Sequence, residues 1–153
     1  MITVVLINDL DEKNIPALKQ FQQWVDKTLS AIPEKIPQDV TEICISIVDS
    51  KTSAELNEAY RQKKGPTNIL SFAYDPIPGI PADSLGDLVI CAALVESEAL
   101  AQHKQSIAHW AHLTVHGVLH LLGYDHIVED DAIAMESLEI LVLQKLGFEN
   151  PYE

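Results

Sequence analysis

The eleven residues His116-Gly117-Val118-Leu119-His120-Leu121-Leu122-Gly123-Tyr124-Asp125-His126 constrain this chain more than any others. Side chains four apart on a helix share a face, so His116 and His120 can aim their imidazoles at one point. Gly123 can take the positive φ that ends a helix and turns the chain back, bringing His126 towards the same point. Three convergent neutral imidazoles leave one coordination position open on a zinc-like ion, the arrangement of a catalytic metal site. A purely structural metal is the competing reading, and it usually takes four protein ligands, often with cysteine. Cys44 and Cys91 are the candidates for a fourth, but both sit in apolar, strand-like runs that suit buried reduced thiols.

The spacing equals that of the H-E-x-x-H-x-x-G-x-x-H metallopeptidases, with one difference. Gly117 stands where those enzymes keep the glutamate that serves as general base. A metal site is therefore expected, and peptidase chemistry is disfavoured.

Around this motif the chain alternates strand and helix patterns. Ile2–Ile7 is apolar and β-branched, Ile43–Val48 alternates, and Asn68–Tyr74 and Asp87–Cys91 look similar, so all four read as strands. Pro16 suits the first turn of a helix whose Leu18, Phe21, Trp24, Val25, Thr28 and Leu29 keep helical spacing to Ala31. Thr52-Ser53-Ala54-Glu55 resembles a capping box for a helix to Gln62. Further helices are expected over Ala92–Gln102, from a Ser106 cap through the histidine motif, and from Glu129-Asp130-Asp131 to Lys145 and Gly147. Residues 75–86, rich in proline and glycine, read as a loop that could rim a site. The order predicts an α/β (α+β) domain over residues 1–153: a small mixed four-stranded sheet with about five helices, the metal site on a central helix and the following turn.

A formal charge of −13 argues against broad electrostatic capture of nucleic acid. Locally the balance reverses. Arg61, the only arginine, is followed by Lys63 and Lys64. The lysines suit a helix C-terminus. Arg61 reads equally as another such cation or as a clamp for phosphate, because guanidinium offers a planar, permanently charged fork. The acidic residues of 129–153, Glu139 among them, read as a solvated face. His109 and His112 share the face of His116 and His120 but lie too far back to reach one ion, so His112 is expected behind the ligands rather than among them. Asp125 either orients a ligand or bonds its own turn. His103 reads as surface. No apolar run approaches the ~20 residues of a membrane span, and a cytoplasmic protein is expected.

Larger pieces of the chain carry a family likeness. His109-Trp110-Ala111-His112-Leu113 through His126, with Leu56-Asn57-x-x-Tyr60-Arg61, Pro66-Thr67-Asn68-Ile69-Leu70-Ser71-Phe72, Leu85-Gly86-Asp87-Leu88-Val89-Ile90-Cys91 and Met135-Glu136-x-Leu138-Glu139, resembles the YbeY family of bacterial ribosomal-RNA maturation factors, described as metal-dependent endoribonucleases. Gly65 and Ala73 depart from the family pattern, at the loop and strand entrance. The resemblance implies one zinc ion per chain held by His116, His120 and His126, with Arg61 tied to RNA cleavage and Lys63 and Lys64 assisting at the substrate. It also implies single-strand-specific cleavage in small-subunit 16S rRNA 3′-end maturation and ribosome quality control. The partners would be ribosomal RNA and the small subunit, with a ribosomal or GTPase protein as one route to them, and with neither membrane nor DNA involved. The competing expectations are a metallopeptidase-like hydrolase and a non-catalytic assembly factor with a structural metal.

Overall fold

A computed structural model of the chain describes residues 2–12, 14–74, 83–125 and 129–153. The apolar runs form four strands: β1 (Thr3–Asn8), β2 (Glu42–Val48), β3 (Ile69–Ala73) and β4 (Ser84–Cys91). The described helices are α1 (Leu18–Ala31), α2 (Ser50–Arg61), α3 (Ala92–Ala101), α4 (Ser106–Leu121) and α5 (Glu129–Lys145), with a 3₁₀ turn at Pro33–Lys35. Strand order is β1-β2-β4-β3, with β1, β2 and β4 parallel and β3 antiparallel beside β4. This is the mixed α/β architecture that the pattern predicts. Parallel neighbours require a crossover, and α1 supplies the one between β1 and β2.

Alternation sets the two faces of the sheet. Ile43, Ile45 and Ile47 of β2 are buried under helices, while Cys44, Ser46 and Val48 on the other face are half-buried. On the helical side α4 packs against α1, α3, α5, β3 and β4. Trp110, Ala111, Val115, Val118 and Leu119 of α4 are fully buried. Each large apolar side chain removed from water in this way contributes about 1.5–3 kcal/mol. Phe21 meets both Trp24 and Trp110 edge-on, with ring centroids 5.4 and 6.0 Å apart. The indole N–H of Trp110 donates to Glu96 Oε1 at 3.0 Å, so its polar end is satisfied inside the core.

At Gly117 α4 lies close against the sheet. A Cβ there would lie 2.7 Å from Ile69 Cδ1 and 2.8 Å from Leu88 Cδ2. The turn that joins α2 to β3 is tied down by buried polar groups. Asn57 Nδ2 donates to Gly65 O at 2.9 Å, Ser53 Oγ donates to Thr67 O at 2.7 Å, and Thr67 N donates back to Ser53 Oγ at 2.9 Å.

Several local expectations need correction. The cap of α2 is Asp49, whose carboxylate accepts from Thr52 N at 2.8 Å, so Thr52 lies inside the first turn. Ser106 is the first residue of α4 rather than its cap, and its hydroxyl donates to Glu96 Oε1 at 2.6 Å. Pro16 precedes Ala17, the cap of α1. Ser84, Leu85 and Gly86 extend β4 instead of closing the loop, while residues 75–82 of that loop lie outside the described residues. Glu139 is fully buried and does not belong to a solvated face. It follows Met135 by four residues and precedes Val142 by three, so it falls on the apolar stripe of α5. No described helix is long and apolar enough to cross a membrane.

Candidate metal centre and cleft

The four histidines of α4 form a ladder along one face. Successive ring centroids of His109, His112, His116 and His120 lie 6.3, 6.3 and 4.6 Å apart. The last step is the short one, and it brings His120 Nε2 to 3.1 Å from His116 Nε2. Two nitrogen donors bound tetrahedrally at 2.0–2.1 Å from zinc sit roughly 3.3 Å apart, so this pair already has nearly the separation of two ligands of one ion. Beyond them α4 ends as the motif predicts. Gly123 has φ +99°, its N–H reaches His120 O at 3.0 Å, and Tyr124 N–H reaches Leu119 O at 3.1 Å. These paired bonds satisfy the last carbonyls of the helix and turn the chain. His126 lies outside the described residues, and among the described residues no three His, Cys, Asp or Glu side chains form a metal-sized cluster. Asp125 is half-exposed at the end of the turn. Cys44 and Cys91 do not line the cleft; Cys91 packs against Ser50.

His116 and His120 open onto a cleft of about 500 Å³ whose walls also carry Arg61, Asn68, Glu98, Lys104, His109, His112 and Tyr152. Arg61, far away in sequence, is the last residue of α2 and is exposed. Helix α2 and the pinned turn after it place this cation on the same cavity as the two imidazoles. Lys63 and Lys64 are exposed beyond the helix and are not among the lining residues. Lys104 is a second cation on the wall, with its ammonium donating to Pro151 O at 2.8 Å.

Behind the histidines lies Glu139. Its Oε1 faces His116 Nδ1, its Oε2 accepts from the hydroxyl of Tyr152, and His112 Nε2 lies 3.4 Å from Oε2. Burial alone would raise its pKa, but hydrogen bonds from His112, His116 and Tyr152 outweigh that and hold it at about 2. Burial and the adjoining Glu139 carboxylate push the Tyr152 phenol upward, so it stays a donor. At the far end His109 Nε2 meets Glu98 Oε1 at 2.9 Å, and Glu98 also accepts from Asn68 Nδ2 at 3.0 Å. Burial lowers the His109 pKa, with Glu98 opposing in part.

Tyr152, Glu98 and Lys104 on the cleft wall, and Glu139 behind it, are residues that motif reading misses. Only Glu139 left a signal, as an acid standing on the apolar stripe of α5. Gly117 faces the sheet and not the cleft. A glutamate at that position could not serve as a peptidase base without leaving the helix face it occupies.

The sequence profile of the family described as Endoribonuclease YbeY matches residues 6–147. The chain belongs to the YbeY family. Relatives named Endoribonuclease YbeY in Coxiella burnetii, from strains Dugway 5J108-111 and RSA 493 / Nine Mile phase I, are 51% identical over 153 residues, covering 100% of this chain and 99% of theirs. The solution structure of TM1509 from Thermotoga maritima superposes with a TM-score of 0.59 at 21% identity, over 94% of this chain and 91% of that one, and shows the shared fold. YbeY membership makes this chain an endoribonuclease-family protein, a hydrolase class acting on RNA.

Proposed function

We propose that this YbeY member is a zinc-dependent, single-strand-specific endoribonuclease that matures the 3′ end of 16S rRNA in the cytoplasm and takes part in ribosome quality control. The observation that carries the chemistry is the 3.1 Å approach of His116 and His120 Nε2 on the cleft that also holds Arg61. The donor set fits one zinc ion per chain: two imidazole nitrogens at ligand separation, with His126 following the turn as third ligand. When bound, zinc held by three histidines supplies a water ionised near neutral pH. That removes the need for the glutamate absent at position 117.

The remaining work falls to this chain's own side chains. Arg61 binds a non-bridging oxygen of the scissile phosphate and stabilises charge as it develops there. Lys63 and Lys64, beyond the cleft, bind the strand through its phosphates. His112 and Asp125 support the ligands from behind and beside. A net charge of −13 opposes capture of free RNA, so the small ribosomal subunit, or a protein bound to it, delivers the strand.

Zinc analysis paired with cleavage of purified small-subunit particles tests this reading. His116→Ala should lose both metal and cleavage. Arg61→Ala should keep the metal and lose cleavage by about 10²–10³, the usual effect of removing one donor to a developing charge. Cleavage by a metal-free, contaminant-free His116→Ala preparation would overturn the mechanism. Full ribosome assembly function in Arg61→Ala, with an exchange-inert metal, would favour the non-catalytic alternative.

A further inference from the structure

We propose that Glu139 and Tyr152 are positioning residues for His116: Glu139 fixes the imidazole with Nε2 towards the cleft, and Tyr152 fixes Glu139. The proposal rests on the reading of His116 as a metal ligand and adds the apparatus that holds it.

The argument starts from what surrounds one carboxylate. Glu139 is fully buried, and its described polar neighbours are the rings of His112 and His116 and the phenol of Tyr152. A carboxylate only accepts hydrogen bonds, so the His116 nitrogen facing it must carry the proton. That nitrogen is Nδ1. The neutral ring then has its lone pair on Nε2, the atom 3.1 Å from His120 Nε2 at the cleft. A ring with no such partner could present either tautomer or rotate. A carboxylate behind a ligating histidine sets ring orientation and raises ligand basicity, and losing such a partner typically costs 10–100-fold in metal affinity.

Tyr152 secures the other oxygen. Its own backbone is held in place: Tyr152 N donates to Asn150 Oδ1 at 2.8 Å, and Lys104 Nζ donates to Pro151 O at 2.8 Å. The His112 ring packs edge-on against the tyrosine ring at 5.4 Å. The phenol therefore occupies the side of the carboxylate from which cleft water would otherwise compete. A purely structural tie between α4 and α5 would need neither the directed Nδ1 contact nor a phenol on the opposite oxygen.

The test compares Glu139→Leu, Glu139→Gln and Tyr152→Phe with wild type, with Glu136→Gln as a control on the exposed face of α5. Nitrogen-15 NMR of the metal-free protein reads the His116 tautomer, and chelator competition reads zinc affinity. Wild type and the control should show the Nδ1–H form. Glu139→Leu should lose that preference and weaken zinc binding 10–100-fold. Glu139→Gln keeps an acceptor without the charge, so it should keep the tautomer and bind zinc between wild type and Glu139→Leu. Tyr152→Phe should keep the tautomer and weaken zinc binding a few-fold. A folded Glu139→Leu with wild-type tautomer and affinity overturns the proposal. If Glu139→Leu does not fold, Glu139→Gln decides, and zinc affinity within twofold of wild type overturns it. Undiminished zinc binding by His116→Ala would instead sink the metal reading, while the metal-free tautomer measurement would still judge the positioning role.

Discussion

Gly117 offers the sharpest test of how the histidine helix is seated. A Cβ at this position would stand 2.7 Å from Ile69 Cδ1 and 2.8 Å from Leu88 Cδ2, against a comfortable carbon–carbon contact of about 3.5–4.0 Å. Both methyls must retreat by roughly 0.7 Å or more to restore that contact, and Leu88 is completely buried with little room to do so. Overpacking of this kind costs about 1–3 kcal/mol, while alanine in place of glycine inside a helix returns about 1 kcal/mol. Gly117→Ala should therefore lose up to about 2 kcal/mol, a fall in Tm of at most about 8 °C for a domain of this size. Gly117→Glu adds an unpaired carboxylate to the same contact and should cost several kcal/mol more, enough to threaten folding. Urea unfolding followed by circular dichroism measures both. A Gly117→Ala protein stabilised by a full ~1 kcal/mol would mean the sheet leaves room that the packing denies. A Gly117→Glu protein that folds normally and gains peptidase activity would refute both the packing argument and the inference that a glutamate on this face cannot act as a base.

Three other outcomes follow from features already described. Gly86 has φ +148°, and a Cβ there would meet the backbone oxygen of Phe72 at 2.4 Å, so Gly86→Ala should cost on the order of 3 kcal/mol in a denaturant titration. The Asp49 carboxylate is held below its usual pKa of 3.8, chiefly by the Thr52 N–H. Its cap therefore contributes fully above that value and is lost as pH falls through the lower folded value, and Asp49→Asn should flatten this part of the stability–pH curve. His109 has a lowered pKa in the folded state, so below about pH 6.5 the unfolded chain takes up a proton that the folded one resists. Wild type should thus lose stability between pH 7 and 5 more steeply than His109→Gln does, and equal slopes in unfolding titrations would contradict the burial argument.

The arrangement of strands and helices was legible because periodicity is local. Ile43, Ile45 and Ile47 announce a strand with one buried face, and Gly123 announces the end of the histidine helix. The family likeness was legible in the same stretch. The α2 cap was misread because Thr52-x-x-Glu55 mimics a capping box, while Asp49 satisfies the helix N-terminus one turn earlier. Glu139 was misread because charge suggests solvent, and only its register with Met135 and Val142 reveals the inward face. Tyr152 and Lys104 could not be read at all. They reach the cleft through contacts that tie the segment after α5 to α5 and to the turn between α3 and α4, and no spacing rule encodes those.

Gln62–Asn68 alone separates Arg61 from Ile69, and the Ile69 methyl abuts the histidine helix beside Gly117. Those seven residues therefore act as a length gauge between the arginine and the imidazoles. An insertion among them would release up to ~3.5 Å of chain, about the width of one hydrogen bond. The strand and helix on either side would remain intact while the reach of Arg61 changed. The span of the cleft is thus set by a short piece of covalent chain, and it can go out of calibration without any loss of fold.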